Sequence, residues 1–168
     1  MFNLVPEWAS HYEEFWLSIR RRNLWFIKVR YSAVIMLFLF LSLSKYFLDI
    51  SFTQTQQKAI IIITISILTY NLIFHFLRQY VKFDKDKFNP LHLSIMQMIS
   101  DLMALLLIVY YTGSVESPLL LFFVFHMIVG SLILPGFIIY LFAFSVIACV
   151  WVFTIGEYYL IIPHNHIS

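Results

Sequence analysis

Residues 97–135 read QMISDLMALLLIVYYTGSVESPLLLFFVFHMIVGSLILP. Two apolar runs flank a short polar segment, Tyr111 to Pro118, which contains a glycine, two serines and a proline. The first run carries Gln97 and Asp101, and the second carries His126 near its middle. A helix of about 20 apolar residues crosses a bilayer. We therefore predict a membrane helix, a tight outer turn and a returning membrane helix.

The composition of the whole chain is that of an integral membrane protein. Hydrophobic residues make up 61% of the 168 residues and charged residues 12%, against about 45–50% and about 25% in soluble domains. All eleven Lys and Arg residues precede Phe88, which argues against nucleic-acid binding by the second half. The single cysteine, Cys149, excludes an intrachain disulfide. The predicted fold class is all-α, a polytopic transmembrane helix bundle.

The apolar runs and the helix-start signals predict five spans. Asn-Pro at 89–90 and Ser-Pro at 117–118 each combine an N-cap residue with a proline at the first helical position. Thr53 or Thr55 is a candidate cap for the second span. The predicted spans are 29–48, 59–77, 90–111, 118–134 and, after Pro135-Gly136, a fifth to about Thr154; the bundle as a whole covers 29–156.

The N-terminal segment, residues 1–28, is predicted to be cytoplasmic and interfacial. Residues 6–22 have helical spacing of aromatic and apolar side chains and are followed by basic residues, as in helices that lie on anionic membranes. A topogenic signal without another task is the alternative. The apolar face consists of Trp8, Tyr12, Phe15, Trp16 and Ile19.

The distribution of basic residues predicts the orientation. Five lie before or at the start of span one and four lie in the loop after span two, whereas the turn after span three has none. Positive charge favours the cytoplasmic side, so the N-terminus is expected there. Five spans then leave residues 157–168 on the outer side of the membrane. The chain stops there without a further domain, which suggests that it is part of a longer protein.

Asp101 is the first candidate for a functional group, because a carboxylate within a membrane helix costs about 2.5–3.5 kcal/mol and needs a partner. Ser94, Gln97 and Asp101 share one helix face, and His126 is predicted at a similar depth. These intramembrane polar residues, Gln97, Asp101 and His126, could exchange a proton or hold a polar head group. The alternative is a hydrogen bond that only fixes helix packing.

The outer turn is the second candidate, as a ligand-binding site. Its glycine can adopt φ > 0, and the free N–H groups at the start of span four could accept a carbonyl oxygen. An ordinary helical hairpin is the alternative. The candidate ligand-binding residues are Gly113, Ser114, Glu116, Ser117 and Pro118.

No pattern in the chain predicts catalysis or a defined metal site. There is no phosphate-binding glycine loop and no nucleophile with a base. His164 and His166, with Glu157 nearby, are a weak metal-binding signal, and a solvated tail is the alternative.

Four segments resemble the membrane input region of bacterial sensor histidine kinases, in particular the six-helix type that includes quinone-responsive redox kinases. They are QMISDL at 97–102, YTGSVESP at 111–118, FH at 125–126 and LP at 134–135. Those kinases carry a Gly-Gly-x-x-Asn-Pro-Phe turn after the third helix. Here the matching segment is GSVESPL at 113–119, in which the first glycine and the proline match.

The resemblance, over about residues 25–166, implies a non-catalytic sensor domain in the lipid bilayer. It further implies a quinone as the candidate ligand, a homodimer formed through the full-length kinase, and a response regulator that the kinase phosphorylates. The kinase domain would follow the sixth span. A small transporter or channel subunit, with Asp101 and His126 on a proton or ion path, is the alternative function.

Overall fold

A computed structural model describes residues 13–47, 52–81 and 88–163. Within this described part the chain contains helices and turns but no strand, which confirms the predicted all-α class. Five α-helices follow one another there: α1 Glu13–Phe47, α2 Gln54–Tyr80, α3 Pro90–Tyr111, α4 Leu121–Ser131 and α5 Gly136–Tyr158.

Four of the described helices, α1, α2, α3 and α5, are long and apolar enough to cross a membrane. The fourth apolar run is shorter than expected: its helical part is Pro118–Ser131, not a span to Leu134. It ends early because Pro135 has no N–H and excludes helical geometry from the residue before it. A helical membrane protein is thus supported, and five crossings stay a prediction.

Local side chains set where α2 and α3 begin. Thr53 Oγ1 accepts a hydrogen bond from Gln56 N at 3.3 Å, and Gln56 Oε1 accepts one from Thr53 N at 2.8 Å. Asn89 Oδ1 accepts from Leu91 N and His92 N at 3.1 and 3.2 Å. These bonds satisfy N–H groups that a helix start leaves free. The predicted caps at Thr53 and Asn89 are confirmed.

The first turns of α1 do not form a separate helix. No glycine or proline interrupts residues 13–47, so α1 continues from the N-terminal segment into the predicted first span. Trp16 and Ile19 are buried and belong to the same apolar core cluster as Leu91 and Met98 of α3. Part of the predicted membrane-facing side therefore packs inside the bundle.

An interfacial helix over residues 6–22 stays a prediction, because its first half lies outside the described residues. Trp8 and Tyr12 of its predicted apolar face also lie outside the described residues, as do His164 and His166 of the predicted external segment.

Helix α3 is the centre of the bundle. It is the most buried of the long helices, and it packs against α1, α2, α4 and α5. Helices α1 and α2 pack along each other, and α4 packs on α5. Helices α1 and α4 both contact α3 but have little contact with each other. This arrangement leaves space between α1 and α4 above the surface of α3.

Candidate functional site

A salt bridge joins Arg30 of α1 to Asp101 of α3. Arg30 Nε donates to Asp101 Oδ1 at 2.7 Å, and Arg30 Nη2 donates to Asp101 Oδ2 at 2.8 Å, so the two planar groups meet in a bidentate pair. Both side chains are largely buried, with exposures of 7% and 12%. Asp101 lies about 16 Å along α3 from its start at Pro90, given the helical rise.

Helix α2 and a second residue of α3 complete this cluster. Tyr70 donates its hydroxyl to Asp101 Oδ1 at 2.8 Å. Arg30 Nη1 donates to Asn71 Oδ1 at 3.3 Å, and Nη2 donates to Gln97 Oε1 at 3.2 Å. Arg30, Tyr70, Asn71, Gln97 and Asp101, here termed the polar cluster, therefore tie α1, α2 and α3 together.

The polar cluster is stable in this apolar setting because its charges are matched and hydrogen-bonded. Removing an ion from water costs several kcal/mol, which an ion pair offsets only with good geometry and further hydrogen bonds. The guanidinium of Arg30 also lies 5.8 Å from the ring centroid of Tyr70 and 5.7 Å from that of Phe74. One positive and one negative group leave the cluster without net charge.

An apolar cavity of about 360 Å³ lies beside the polar cluster, between α1, α3 and α4. Its volume is at the lower end of the range for small-molecule sites, about 300–1,000 Å³. Arg30, Gln97 and Asp101 contribute to its lining, together with His126 of α4. The remaining lining is mostly apolar and includes the exposed side chain of Met36, so the cavity reaches the outer surface of the bundle.

Gln97 lines this cavity and carries a buried hydrogen-bond donor without a partner among the described residues. The residue is 2% exposed, and its Nε2 has no hydrogen-bond partner within the described part of the chain. Its amide orientation follows from chemistry: Arg30 has only donors, so the Gln97 oxygen must face it. A buried donor without a partner costs about 1–3 kcal/mol. An acceptor atom on a ligand would remove that cost.

His126 lines the same cavity. It was the predicted partner of Asp101, but it does not pair with that residue. Its Nδ1 lies 2.8 Å from the carbonyl oxygen of Phe122, one turn earlier in α4. The partner of Asp101 is Arg30, which neutralises a carboxylate more strongly than a neutral imidazole can. Because a carbonyl only accepts, Nδ1 carries the proton, and in a neutral ring Nε2 is then an acceptor. Gln97, Asp101 and His126 thus all line one cavity, but His126 is bonded within its own helix.

The turn between α3 and α4, predicted to lie on the outer side, is closed by its own hydrogen bonds. Gly113, which follows the C-cap residue Thr112 of α3, has φ 104°, the positive φ that was predicted for it. The hydroxyl oxygens of Thr112 and Ser117 lie 2.8 Å apart, and Ser117 Oγ also accepts from Leu119 N at 3.3 Å. The predicted cap at Ser117 is confirmed, although a 3-10 turn, Pro118–Leu120, precedes α4.

The cavity lining begins just beyond this turn, at Leu119. The five turn residues proposed as ligand contacts are not part of that lining, and their role in binding stays a prediction. They are Gly113, Ser114, Glu116, Ser117 and Pro118.

Sequence patterns point to Asp101 and Gln97 but not to Arg30, Tyr70 or Asn71. A signal was present, because a carboxylate in one span needs a partner and Arg30 lies inside the predicted span 29–48. Arg30 follows a run of basic residues and therefore resembles a topogenic charge. Tyr70 and Asn71 lie in a second span that also carries Thr64, Ser66, Thr69 and His75, so the sequence does not single them out.

Within residues 13–47, 52–81 and 88–163, no group of three or more His, Cys, Asp or Glu side chains could hold a metal ion. Comparison with protein-family models, with curated proteins and with solved structures finds no match to this chain.

Proposed function

We propose that the chain is a transmembrane signal-sensing domain that binds a membrane-soluble ligand in the cavity between α1, α3 and α4. The observation that carries this proposal is an apolar cavity of ligand size next to the polar cluster, lined by Gln97, whose Nε2 has no partner among the described residues. Pockets that combine an apolar lining with a few convergent polar groups are the usual form of small-molecule sites.

The helix arrangement supports a sensing role for this cavity. A ligand changes a conformation only if it binds two states with different affinity. Helices α1 and α4 have little contact with each other, so an occupant between them favours one spacing over another. Helix α1 is continuous from the cavity to Glu13, and a shift at Arg30 would be carried to that end.

The resemblance to sensor histidine kinases extends the proposal to a signalling protein. It implies a sixth span, a cytoplasmic kinase, a homodimer and a response regulator, with a quinone as candidate ligand. The proposed location is the bacterial cytoplasmic membrane, with the N-terminus inside. The alternative function, a transporter or channel subunit, needs Asp101 on a proton or ion path. We favour the sensor because Asp101 is already bound by Arg30 and Tyr70.

The test fills the cavity and measures the distance between α1 and α4. Spin labels are attached to Leu39→Cys of α1 and Ile128→Cys of α4, both exposed positions, in a Cys149→Ser background in lipid nanodiscs. Ala33 lines the cavity, so Ala33→Phe places a ring where a ligand would lie. We expect Ala33→Phe to shift the distance distribution measured by pulsed electron resonance.

Ala148→Phe is the matched control, because Ala148 is exposed on α5 and is not among the lining residues. It should leave the distance unchanged. An identical distance distribution in unmodified, Ala33→Phe and Ala148→Phe chains, all folded by circular dichroism, would refute a sensing role for the cavity.

A further inference from the structure

We infer that the cavity binds a neutral amphiphile whose head group offers a hydrogen-bond acceptor to Gln97 Nε2 and whose apolar part lies along α1 and α4. This inference rests on the proposed function and specifies its ligand. Three independent features of the site lead to it: the charge balance of the lining, the unpaired polar atoms and the shape of the cavity.

The charge balance argues for a neutral head group. Arg30 and Asp101 are the charged residues in the lining, and each is bound to the other through two hydrogen bonds. An anionic head would compete with Asp101 for Arg30, and a cationic head would compete with Arg30 for Asp101. Either would leave one buried charge without a partner, which is strongly unfavourable. A neutral head leaves the salt bridge intact.

The polar atoms left over specify the hydrogen bonds of that head group. Gln97 Nε2 is a buried donor without a partner among the described residues, and it requires an acceptor such as a carbonyl or ester oxygen. The Nε2 atom of a neutral His126 is an acceptor and suits a hydroxyl. A head group with both a carbonyl and a hydroxyl satisfies both sides of the cavity.

The size and lining of the cavity favour a small molecule with an apolar chain. A helix with its side chains has a diameter of about 10–12 Å. A cavity of about 360 Å³ is therefore too small to hold a helix from a second copy. Phe122 and Phe125 of α4 and Met36 of α1 line the cavity and are about half exposed or more. An apolar chain can therefore extend from the polar cluster along these side chains to the bilayer.

The experiment uses the whole chain in nanodiscs and a photoreactive monoacylglycerol that carries a diazirine in its acyl chain. Labelled peptides are quantified by mass spectrometry. Three competitors of equal chain length are compared: monolauroylglycerol, which is neutral, dodecyl phosphate, which is anionic, and dodecyltrimethylammonium, which is cationic. We expect monolauroylglycerol to compete at least about tenfold better than either charged compound, because each charged head would leave one member of the salt bridge without its partner.

Two variants test the assigned atoms. Gln97→Glu keeps an oxygen for Arg30 but removes the donor and adds a negative charge, so labelling should fall about tenfold and the cationic competitor should gain. His126→Phe removes the second polar contact and should weaken competition by the hydroxyl-bearing compound. Circular dichroism and gel filtration check that each variant is folded, and the competitor series itself needs no variant.

The outcomes separate this inference from the proposed function. Ala33→Phe should abolish labelling of the lining peptides, and Ala148→Phe should not. If labelling is abolished as expected but a charged competitor is as effective as the neutral one, the head-group inference is overturned and the cavity remains a binding site. If labelling does not respond to Ala33→Phe, both the inference and the proposed site are overturned.

Discussion

Arg30 and Asp101 show how a charged pair is accommodated in an apolar helix bundle. Each charge has the other as its main partner, and Tyr70, Asn71 and Gln97 satisfy the remaining polar atoms. The side chains come from three helices, so the pair also fixes how these helices sit against each other. The same network binds the Gln97 oxygen, while its nitrogen has no partner among the residues that the structure describes, so a structural contact also forms part of the candidate binding site.

Removal of one member of this pair should destabilise the bundle strongly. Asp101→Ala leaves Arg30 buried without a counter-charge, and we expect the free energy of unfolding to fall by about 3–5 kcal/mol. The double variant Arg30→Met with Asp101→Leu should cost less than Asp101→Ala, because no buried charge is left over. Unfolding by sodium dodecyl sulfate in mixed micelles, followed by circular dichroism, measures these differences.

The control for this series is Arg21→Met, at an exposed position of the same helix, which should change stability by no more than about 0.5 kcal/mol. A cost for Asp101→Ala as small as that of the control would mean that the salt bridge contributes nothing to the fold.

The helix ends follow from local chemistry. Thr53, Asn89 and Ser117 accept hydrogen bonds from backbone N–H groups at the starts of their helices, and Pro135 prevents α4 from continuing. Gly113 ends α3 with a positive φ, which L-residues with a Cβ adopt only with strain. The short connection between α3 and α4 depends on this residue, and it brings α4 next to the cavity.

Gly113→Ala and Gly136→Ala should have opposite effects on stability. At φ 104° a Cβ is strained, and we expect a loss of about 1–2 kcal/mol for Gly113→Ala. A Cβ on Gly136 would meet only Tyr140 Cε2 at 3.9 Å, an ordinary contact. Gly136→Ala should therefore be neutral or stabilising by up to about 1 kcal/mol.

The same detergent titration measures both glycine variants. Equal effects at the two positions would show that the turn between α3 and α4 does not require the left-handed conformation of Gly113.

The uneven distribution of charge along the chain predicts how the molecule lies in the membrane. All eleven basic residues precede Phe88, and nine of them lie within residues 20–30 and 78–87. Arg22 Nη1 of α1 donates to the carbonyl oxygen of Leu132, at the end of α4, so the two helices are connected at that end. The turn between α3 and α4 lies at the opposite end of α3.

Cysteine accessibility tests this orientation in a Cys149→Ser background. Val115→Cys, at an exposed position of the α3–α4 turn, should react from outside with a membrane-impermeant maleimide in right-side-out vesicles. Arg21→Cys, exposed near the start of α1, should react only after the vesicles are permeabilised. Reaction of Arg21→Cys before permeabilisation would contradict a cytoplasmic N-terminus.

The pairing of Asp101 illustrates the limit of sequence analysis for the site. An aspartate in an apolar run signals a buried partner because its burial alone is too costly, and this much could be predicted. The partner is 71 residues away in the chain, beyond the reach of any local pattern. Prediction of depth from the helical rise favoured His126 instead, because depth alone does not fix which faces of two helices meet.

The sequence by itself determined that the chain is helical and apolar, and it located the starts of α2, α3 and the Pro118–Ser131 segment. These features depend on composition and on contacts between residues a few positions apart. Only the tertiary structure decided that Arg30 meets Asp101 and that a cavity remains between α1 and α4. It also decided that Gln97 Nε2 has no hydrogen-bond partner among the described residues. These features depend on the relative rotation and spacing of whole helices, which many distant side chains set together.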